Sequence, residues 1–418
     1  MFQPALRRAS RFLIVLVPVL LAACGGGGGG GSNAPVAAPV QTQVPAPVPT
    51  QAQQTVPTFS PAAALGQQIF HDPSLSASGR QSCATCHNPD NAHGPVNDLA
   101  VQLGGPNGDV PGFRASPSLR YMQATPTFHF EADGTPVGGF DRDGRAKTLS
   151  DQSERPFLAP HEMANASKEA VVAKLKSATY AAEFRKVFGA GVFDSTDEAF
   201  NRVQFALQQF ENEDPRFHPY DSKYDRFLAG KATLTDAEMR GLALFNNPNK
   251  GNCAACHPSA RGADNSAPLF TDFSYDNLGV PRNKRIPATV DAAYFDLGLC
   301  GPDRTDLAAR TDLCGAFKVP TLRNVATRKT FFHNGAFTNL TDVVRFYVTR
   351  DTNPERWYPL KADGTVDKFD DLPPAYRKNV NTTEVPYNRQ PGMAPALNEA
   401  EIADLVQFLG TLTDGYQP

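Results

Sequence analysis

The chain has 418 residues, of which 41% are hydrophobic and 20% are charged, and its formal net charge is −3. A chain of this length can bury a hydrophobic core and has room for two domains of ordinary size. The nearly neutral charge provides no strongly basic surface of the kind that binds nucleic acid, so we expect no nucleic acid partner.

The N-terminal segment has the pattern of a bacterial export signal. Three arginines precede an apolar run at residues 12–21, which ends in Leu21-Ala22-Ala23-Cys24. This pattern is typical of a lipoprotein signal peptide over residues 1–23 with a lipid on Cys24, and the run is too short to span a membrane. We expect a periplasmic protein that touches the membrane only through its lipid anchor. An ordinary cleaved signal peptide is the alternative.

Seven glycines and a tract rich in Pro, Ala, Val and Gln follow Cys24. This composition cannot bury a core, so we predict a disordered tether at residues 24–58. We divide the remaining chain into an N-terminal domain, residues 59–228, and a C-terminal domain, residues 229–418.

Each predicted domain contains one CxxCH motif, Cys83-Ala84-Thr85-Cys86-His87 in the first and Cys253-Ala254-Ala255-Cys256-His257 in the second. In this spacing two cysteines attach a haem covalently and the next histidine ligates its iron. Zinc clusters or chance matches are the alternatives, and they are disfavoured because the chain has only 7 cysteines and 8 histidines. The motifs therefore predict two haem c groups, with His87 and His257 as iron ligands.

Two further cysteines, Cys300 and Cys314, lie in a loop of Gly, Asp, Thr and Arg residues. In an oxidising compartment a disulfide that closes this short loop is the simplest interpretation. Two free thiols are the alternative.

Helix signals dominate the rest of the chain. Thr235 with Glu238, and Asn398 with Glu401, have the spacing of helix capping boxes. Apolar residues then follow on one side of each helix, beginning with Met239, Leu242 and Phe245 after Thr235, and with Ile402, Leu405 and Leu409 after Asn398. Alternating strand patterns are scarce. We predict an all-α fold of two cytochrome c-like domains joined by long loops.

Several stretches resemble the bacterial di-haem cytochrome c peroxidase and MauG family. They are Leu65 to Pro73, Asp143-Gly144-Arg145, Arg240 to Phe245, Phe317 to Val325, and Phe332-His333-Asn334-Gly335. The resemblance implies that the first haem is open to hydrogen peroxide and that the second is six-coordinate. It also implies a protein electron donor or a protein substrate as partner.

The resemblance assigns roles near the first haem. Counted from Asp143-Gly144-Arg145, residues Gln152, Pro156 and Glu162 fall on the family's distal-pocket glutamine, proline and glutamate. A carboxylate above the iron can move a proton between peroxide oxygens. Without the resemblance, Glu162 would be read as a surface glutamate.

The predicted sixth ligand of the second haem is Tyr347. Leu340, Val343, Val344 and Tyr347 have helical spacing, which places the tyrosine on the buried face. Cytochrome c peroxidases similar to this chain carry methionine here and MauG carries tyrosine, and an oxygen donor stabilises higher iron oxidation states. A tyrosine that only packs in the core is the alternative.

The chain also departs from the family. The ligand histidine that many peroxidases release from the first haem is missing near Gly104, and His71 and His93 are expected to be solvated loop histidines. The first haem is then five-coordinate at rest. Arg142 replaces the tryptophan between the haems, and Ala115 replaces an asparagine that helps to hold calcium, so a calcium ion between the haems is only a possibility.

The strings 210–215, 218–225 and 299–302 look most like those of methanobactin-associated di-haem enzymes. That subgroup implies peroxide-driven oxidation of a tryptophan on a small partner protein. Our leading hypothesis is therefore MauG-like oxidation of a partner side chain. Detoxification of peroxide with electrons from a small cytochrome or cupredoxin is the first alternative, and a non-catalytic electron-transfer cytochrome is the second.

Overall fold

The computed structural model of the chain describes residues 58–417. The predicted signal peptide, the lipidated Cys24 and all of the predicted tether except residue 58 lie outside these residues. The α-helices within this range are α1 (Pro61–His71), α2 (Cys83–Cys86), α3 (Leu149–Leu158), α4 (Lys168–Ser177), α5 (Ala181–Phe188), α6 (Thr196–Glu213), α7 (Lys223–Leu228), α8 (Asp236–Asn246), α9 (Leu340–Thr349) and α10 (Glu399–Gly410).

The strands in this part of the chain are two residues long and form three antiparallel pairs. The pairs are β1 (Leu103–Gly104) with β2 (Val110–Pro111), β3 (His129–Phe130) with β4 (Pro136–Val137), and β5 (Tyr275–Asp276) with β6 (Phe317–Lys318). In the registers, Gly104 pairs with Val110, His129 with Val137, and Tyr275 with Lys318. The regular secondary structure of the described residues is thus mainly helical, as the sequence predicts, and short 3-10 turns and long loops connect the helices.

The two predicted capping boxes are confirmed. Thr235 accepts a hydrogen bond from the backbone of Glu238 at the start of α8, and Asn398 accepts one from Glu401 at the start of α10. Phe245 of α8 is fully buried, whereas Met239 on the same side of this helix is 43% exposed.

Two hydrophobic cores repeat the same helix packing. In the first core, which spans residues 65–217, α1 packs against α6. In the second, which spans residues 224–412, α8 packs against α10. A glycine lies at each crossing, because a Cβ atom on Gly66 would be 2.0 Å from the oxygen of Ala206 and one on Gly241 would be 2.1 Å from that of Asp404. In both cores the glycine-bearing helix precedes a CxxCH motif.

Tyr224 of α7 is part of the second core, and Phe227 packs against it. This core therefore begins a few residues before the predicted domain boundary at residue 229. Within residues 58–417 the helices are too short or too polar for any of them to cross a membrane.

Candidate functional site

The first CxxCH motif forms the short helix α2, and His87 follows its end. The Nδ1 atom of His87 lies 3.1 Å from the oxygen of Pro117 and 3.3 Å from that of His93. A carbonyl oxygen only accepts hydrogen bonds, so Nδ1 carries the hydrogen and Nε2 keeps its lone pair. Burial lowers the pKa of His87 to about 4, and the ring is therefore neutral at pH 7. This is the form and orientation that an iron ligand requires.

The second motif has the same arrangement. Cys253 to Ala255 form a 3-10 turn, and the Nδ1 atom of His257 donates a hydrogen bond to the oxygen of Phe270 at 2.7 Å. Burial also lowers the pKa of His257, which leaves a neutral ring with a free Nε2.

A mostly apolar cavity adjoins the second motif. Its wall includes Cys253, Cys256, His257 and Tyr347, together with residues of the first core's loops. Tyr347 lies on α9, as predicted, and it lines this cavity. The ring of Tyr387 lies 5.8 Å from that of Tyr347 and lines the same cavity. A tyrosine oxygen and a histidine nitrogen are thus both available to a group bound in this cavity.

Three cations in the cavity wall show what kind of group fits. Arg142, Lys318 and Arg328 line the cavity, and none of them forms an ion pair with a carboxylate in the part of the chain described. Burial lowers the pKa of Lys318 to about 8 and that of Arg328 to about 10. Buried cations are costly unless they are paired with an anion. Haem is an apolar ring system with two propionate carboxylates. Its ring would pack against the apolar wall and its propionates would pair with these cations, so the residues present fit haem.

Glu162 lies beside the first motif. The pKa of the Cys86 thiol is raised to about 11, first by burial and second by the negative charge of Glu162. The surrounding protein raises the pKa of Glu162 itself to about 7, mainly through desolvation, while 37% of its side chain stays accessible to a small molecule such as peroxide. A carboxyl group with this pKa can both give and take a proton near neutral pH.

The loop 103–111 holds the backbone of Glu162 in place. The N–H of Gly105 donates a hydrogen bond to the Glu162 oxygen at 2.7 Å. A Cβ atom on Gly104 would lie 2.2 Å from the oxygen of His161, so only glycine permits this approach. Gly104 and Gly105 thus fix the backbone at Glu162, the predicted catalytic residue. They stand where many peroxidases carry a histidine.

The other two predicted distal residues lie on α3. Gln152 and Pro156 are four residues apart and therefore share one face of this helix. Gln152 lines a second cavity, which also includes Arg155 and His161. The oxygen of Pro156 accepts a hydrogen bond from the N–H of Met163 at 2.9 Å, which folds the chain back just after Glu162. The structure thus brings Gln152, Pro156 and Glu162 into one region.

An ionic network that sequence reasoning missed surrounds this region. A disulfide joins Cys300 to Cys314, and Asp303 lies in the loop that it closes. Asp303 accepts hydrogen bonds from Arg155 at 2.8 Å and from Arg145 at 3.0 Å. No spacing in the sequence links residue 303 to residue 155, so only the folded chain shows this contact.

His93 is a correction to the sequence analysis. It is fully buried, with 0% of its surface exposed, and its ring stacks on Phe217 at 3.8 Å. The expectation of a solvated loop histidine is therefore wrong, because the loop that follows the first motif folds inward onto the first core. His71 is exposed, as expected.

The region proposed for calcium holds a cationic side chain. The oxygen of Ala115 accepts a hydrogen bond from Nε of Arg142 at 2.9 Å. Within residues 58–417 there is no cluster of three or more Asp, Glu, His or Cys side chains that could hold a metal ion. A calcium ion between the haems stays a prediction.

The chain is similar to several known proteins. The family model described as di-haem cytochrome c peroxidase matches residues 60–233. The methylamine utilization protein MauG of Paracoccus denitrificans is 35% identical over 367 residues, which cover 85% of this chain and 89% of that protein. The crystal structure of the di-haem peroxidase BthA from Burkholderia thailandensis is 42% identical, with a TM-score of 0.78 and coverage of 86% of this chain and 88% of that one.

The structure of a MauG-like protein associated with microbial copper homeostasis is 24% identical and covers 88% of this chain and 96% of that one, with a TM-score of 0.58. This match shows the fold alone. Together with the buried CxxCH histidines, the comparisons establish that the chain is an oxidoreductase of the di-haem cytochrome c peroxidase and MauG family.

Proposed function

We propose that the protein carries two covalent haem c groups, reacts with hydrogen peroxide beside His87, and uses the oxidising equivalents to modify a side chain of a protein partner. The observation that carries this proposal is the position of Glu162. Its backbone oxygen is held by the N–H of Gly105 at 2.7 Å, its carboxyl oxygen lies 3.6 Å from Nε2 of His161, and burial raises its pKa to about 7. A non-catalytic electron-transfer protein has no need of such a group.

When bound, the haem attached at Cys83 and Cys86 supplies the iron at which peroxide is reduced, and the second haem stores an oxidising equivalent. The chain's own residues hold both groups. His87 and His257 are kept neutral and oriented by backbone oxygens, and Arg142, Lys318 and Arg328 offer cations to the propionates.

Glu162 is the proton carrier in this proposal. As a carboxylate it takes a proton from one oxygen of hydrogen peroxide, and as a carboxylic acid it gives that proton to the other oxygen, which leaves as water. Gln152 orients the peroxide in this proposal, and it lines the cavity that also includes His161, the residue before Glu162. Arg155 and Arg145 supply positive charge and are held in place by Asp303.

Tyr347 favours oxidation of a protein partner over detoxification of peroxide. Tyr347 lines the same cavity as Cys253, Cys256 and His257, and in this proposal its hydroxyl is the second protein ligand of the iron there. An oxygen ligand stabilises oxidised iron, which suits storage of a strong oxidant. The 35% identity to MauG over most of both chains supports the same conclusion. We infer a periplasmic, lipid-anchored location from the sequence signal alone.

Rapid mixing of the diferric protein with hydrogen peroxide tests this function. We expect visible and near-infrared spectra to change on mixing, and we expect Glu162→Gln to slow this change about 10²- to 10⁴-fold, the range for a positioned acid–base group. Glu183→Gln is the matched control, because Glu183 is an exposed glutamate on helix α5 and should leave the rate unchanged.

Two outcomes would contradict the proposal. An unreactive wild-type protein with both haems fully ligated would indicate an electron-transfer cytochrome. A wild-type rate for Glu162→Gln with haem content intact would place the proton carrier elsewhere.

A further inference from the structure

Tyr121 is a buried tyrosine in the wall of the cavity. Only 2% of its surface is exposed, and it lines the same cavity as His257. Its hydroxyl donates a hydrogen bond to Asp414 at 2.6 Å. The phenol therefore has a proton acceptor already in place, which is what a tyrosine needs in order to lose an electron and a proton together.

Tyr121 contacts a second tyrosine that reaches the surface. The ring centroids of Tyr121 and Tyr220 are 4.8 Å apart, and the N–H of Tyr220 donates a hydrogen bond to the hydroxyl oxygen of Tyr121 at 3.2 Å. Tyr220 is 37% exposed. The two rings thus form a continuous aromatic contact from the cavity wall to solvent.

Arg323 holds the two rings together. Its guanidinium lies 4.7 Å from the ring centroid of Tyr121 and 4.8 Å from that of Tyr220. Asp225 accepts hydrogen bonds from this guanidinium at 2.8 and 2.9 Å and fixes its position. Cation–π contacts on both rings restrict their motion relative to each other.

Both tyrosines also have a strained backbone. Their φ angles are +67° for Tyr121 and +50° for Tyr220, in the left-handed region that bulky residues rarely adopt. Strain of this kind persists only where surrounding contacts enforce it, and it is concentrated at functional sites.

The other tyrosines of the cavity wall and the tryptophan have no such contact with an exposed aromatic residue among the described residues. Tyr347 contacts Tyr387, but Tyr387 is buried and, among the described residues, has no ring contact with an exposed aromatic residue. Trp357 is the single tryptophan of the chain and is not part of the cavity wall. Tyr121 is therefore the residue of the described wall that connects the cavity to the surface through an aromatic contact.

We propose that Tyr121 and Tyr220 form a two-step route by which oxidising equivalents leave the cavity for a protein partner docked at Tyr220. This inference rests on the proposed function, because hydrogen peroxide is the oxidant. In the first step Tyr121 gives one electron to the oxidised haem site and its hydroxyl proton to Asp414. In the second step Tyr220 gives one electron to Tyr121 and its own proton to solvent, and Asp414 returns the first proton.

The partner then supplies one electron and one proton to Tyr220. Two such passes deliver the two electrons that, with two protons, reduce one hydrogen peroxide to two molecules of water. The partner is thus an electron-rich side chain, of the tryptophan or tyrosine class, on a protein that covers Tyr220.

Spin trapping on the holoprotein tests the route. Hydrogen peroxide is added to the diferric protein without reductant in the presence of 2-methyl-2-nitrosopropane, and the adducts are located by peptide mass spectrometry. We expect an adduct on Tyr220 in the wild type and at least a tenfold loss of that adduct in Tyr121→Phe. Tyr376→Phe is the control, since Tyr376 is a partly exposed tyrosine on the 3-10 turn Pro374–Asn379 and should leave the adduct unchanged.

The outcomes separate this inference from the proposed function. Wild-type spectra that do not respond to peroxide would overturn the proposed function and the route together. Spectra that respond without an adduct on Tyr220, or an undiminished adduct in Tyr121→Phe, would overturn the route alone. If Tyr121→Phe is poorly folded, Asp414→Asn takes its place, because it removes the acceptor of the Tyr121 proton and should also reduce the Tyr220 adduct at least tenfold. An undiminished adduct in a folded Asp414→Asn protein would overturn the route.

Discussion

Asp303 accepts a hydrogen bond from Arg155 at 2.8 Å, and this contact ties the disulfide-closed loop of the C-terminal half to helix α3 of the N-terminal half. Arg155 is one of the charges that act on Glu162. A loop whose Asp303 is 148 residues from Arg155 in the sequence therefore affects the pKa of the predicted proton carrier.

Asp303→Asn should lower the pH at which the peroxide reaction reaches half its maximal rate. Burial is the main reason why the pKa of Glu162 is raised, and the negative charge of Asp303 adds to this effect, so its removal lowers that pKa. Stopped-flow rates across a pH series would measure the shift. Asp312→Asn is the matched control, because Asp312 lies in the same loop but is exposed and paired with Arg310. An equal shift in both variants would mean that Asp303 does not act on Glu162.

The peroxide reaction of the wild type should itself depend on pH near 7. Glu162 must be ionised to take a proton from peroxide, and its pKa is about 7, so the rate should rise as the pH increases through this value and then level off. The same stopped-flow series on Glu162→Gln should show no such rise. If the variant keeps the wild-type profile, another group controls it.

Replacing Tyr347 by Met should raise the reduction potential of the second haem. A thioether favours ferrous iron, whereas an oxygen donor favours ferric iron, and we expect a change on the order of 100 mV. Spectroelectrochemistry on the purified variant measures it. Tyr387→Phe is the control, since Tyr387 lines the same cavity beside Tyr347. A larger shift in Tyr387→Phe than in Tyr347→Met would identify Tyr387 as the ligand.

Replacing both Cys300 and Cys314 by Ala should lower stability while leaving haem attachment intact. A disulfide that closes a short loop typically contributes about 2–4 kcal/mol, mainly through the unfolded chain. Denaturant unfolding and the haem spectrum would be recorded for both proteins. Two free thiols in the oxidised wild type, detected by mass spectrometry, would refute the bridge.

Glu211→Gln should remove a pH dependence of stability. Burial raises the pKa of Glu211 from 4.5 to about 8, and in the structure one of its carboxyl oxygens lacks a hydrogen-bond partner. Between these two pH values the folded protein binds more protons than the unfolded chain, so its stability falls as the pH rises. The loss should amount to a few kcal/mol, since each unit of pKa is worth about 1.4 kcal/mol.

Urea unfolding of the wild type between pH 5 and about 8 would show this decrease. In Glu211→Gln the free energy of unfolding should vary less with pH. At the upper end of the pH range it should be higher than that of the wild type. Glu198→Gln serves as the control, because Glu198 is an exposed residue on the same helix α6. If Glu211→Gln keeps the pH dependence of the wild type, the carboxyl group of Glu211 is not its cause.

Local sequence patterns by themselves predict the helix caps, the haem motifs and helix α9 of this protein. The capping boxes at Thr235 and Asn398 act within one helical turn, and the CxxCH motifs place two thiols and a histidine within five residues, so the sequence alone predicts them. The helical spacing from Leu340 to Tyr347 correctly predicts α9. Each of these depends on contacts between residues that are close along the chain.

Only the tertiary structure decided the burial, the ionic contacts and the pKa values that depend on residues far apart in the sequence. His93 was expected in solvent and is fully buried, because its burial is set by the packing of Phe217 from a later segment. The positions of Asp303 beside Arg155 and of Tyr220 against Tyr121 join segments about 100 residues or more apart. Burial and the charges of such neighbours set pKa values, and neither leaves a periodic signal in the sequence.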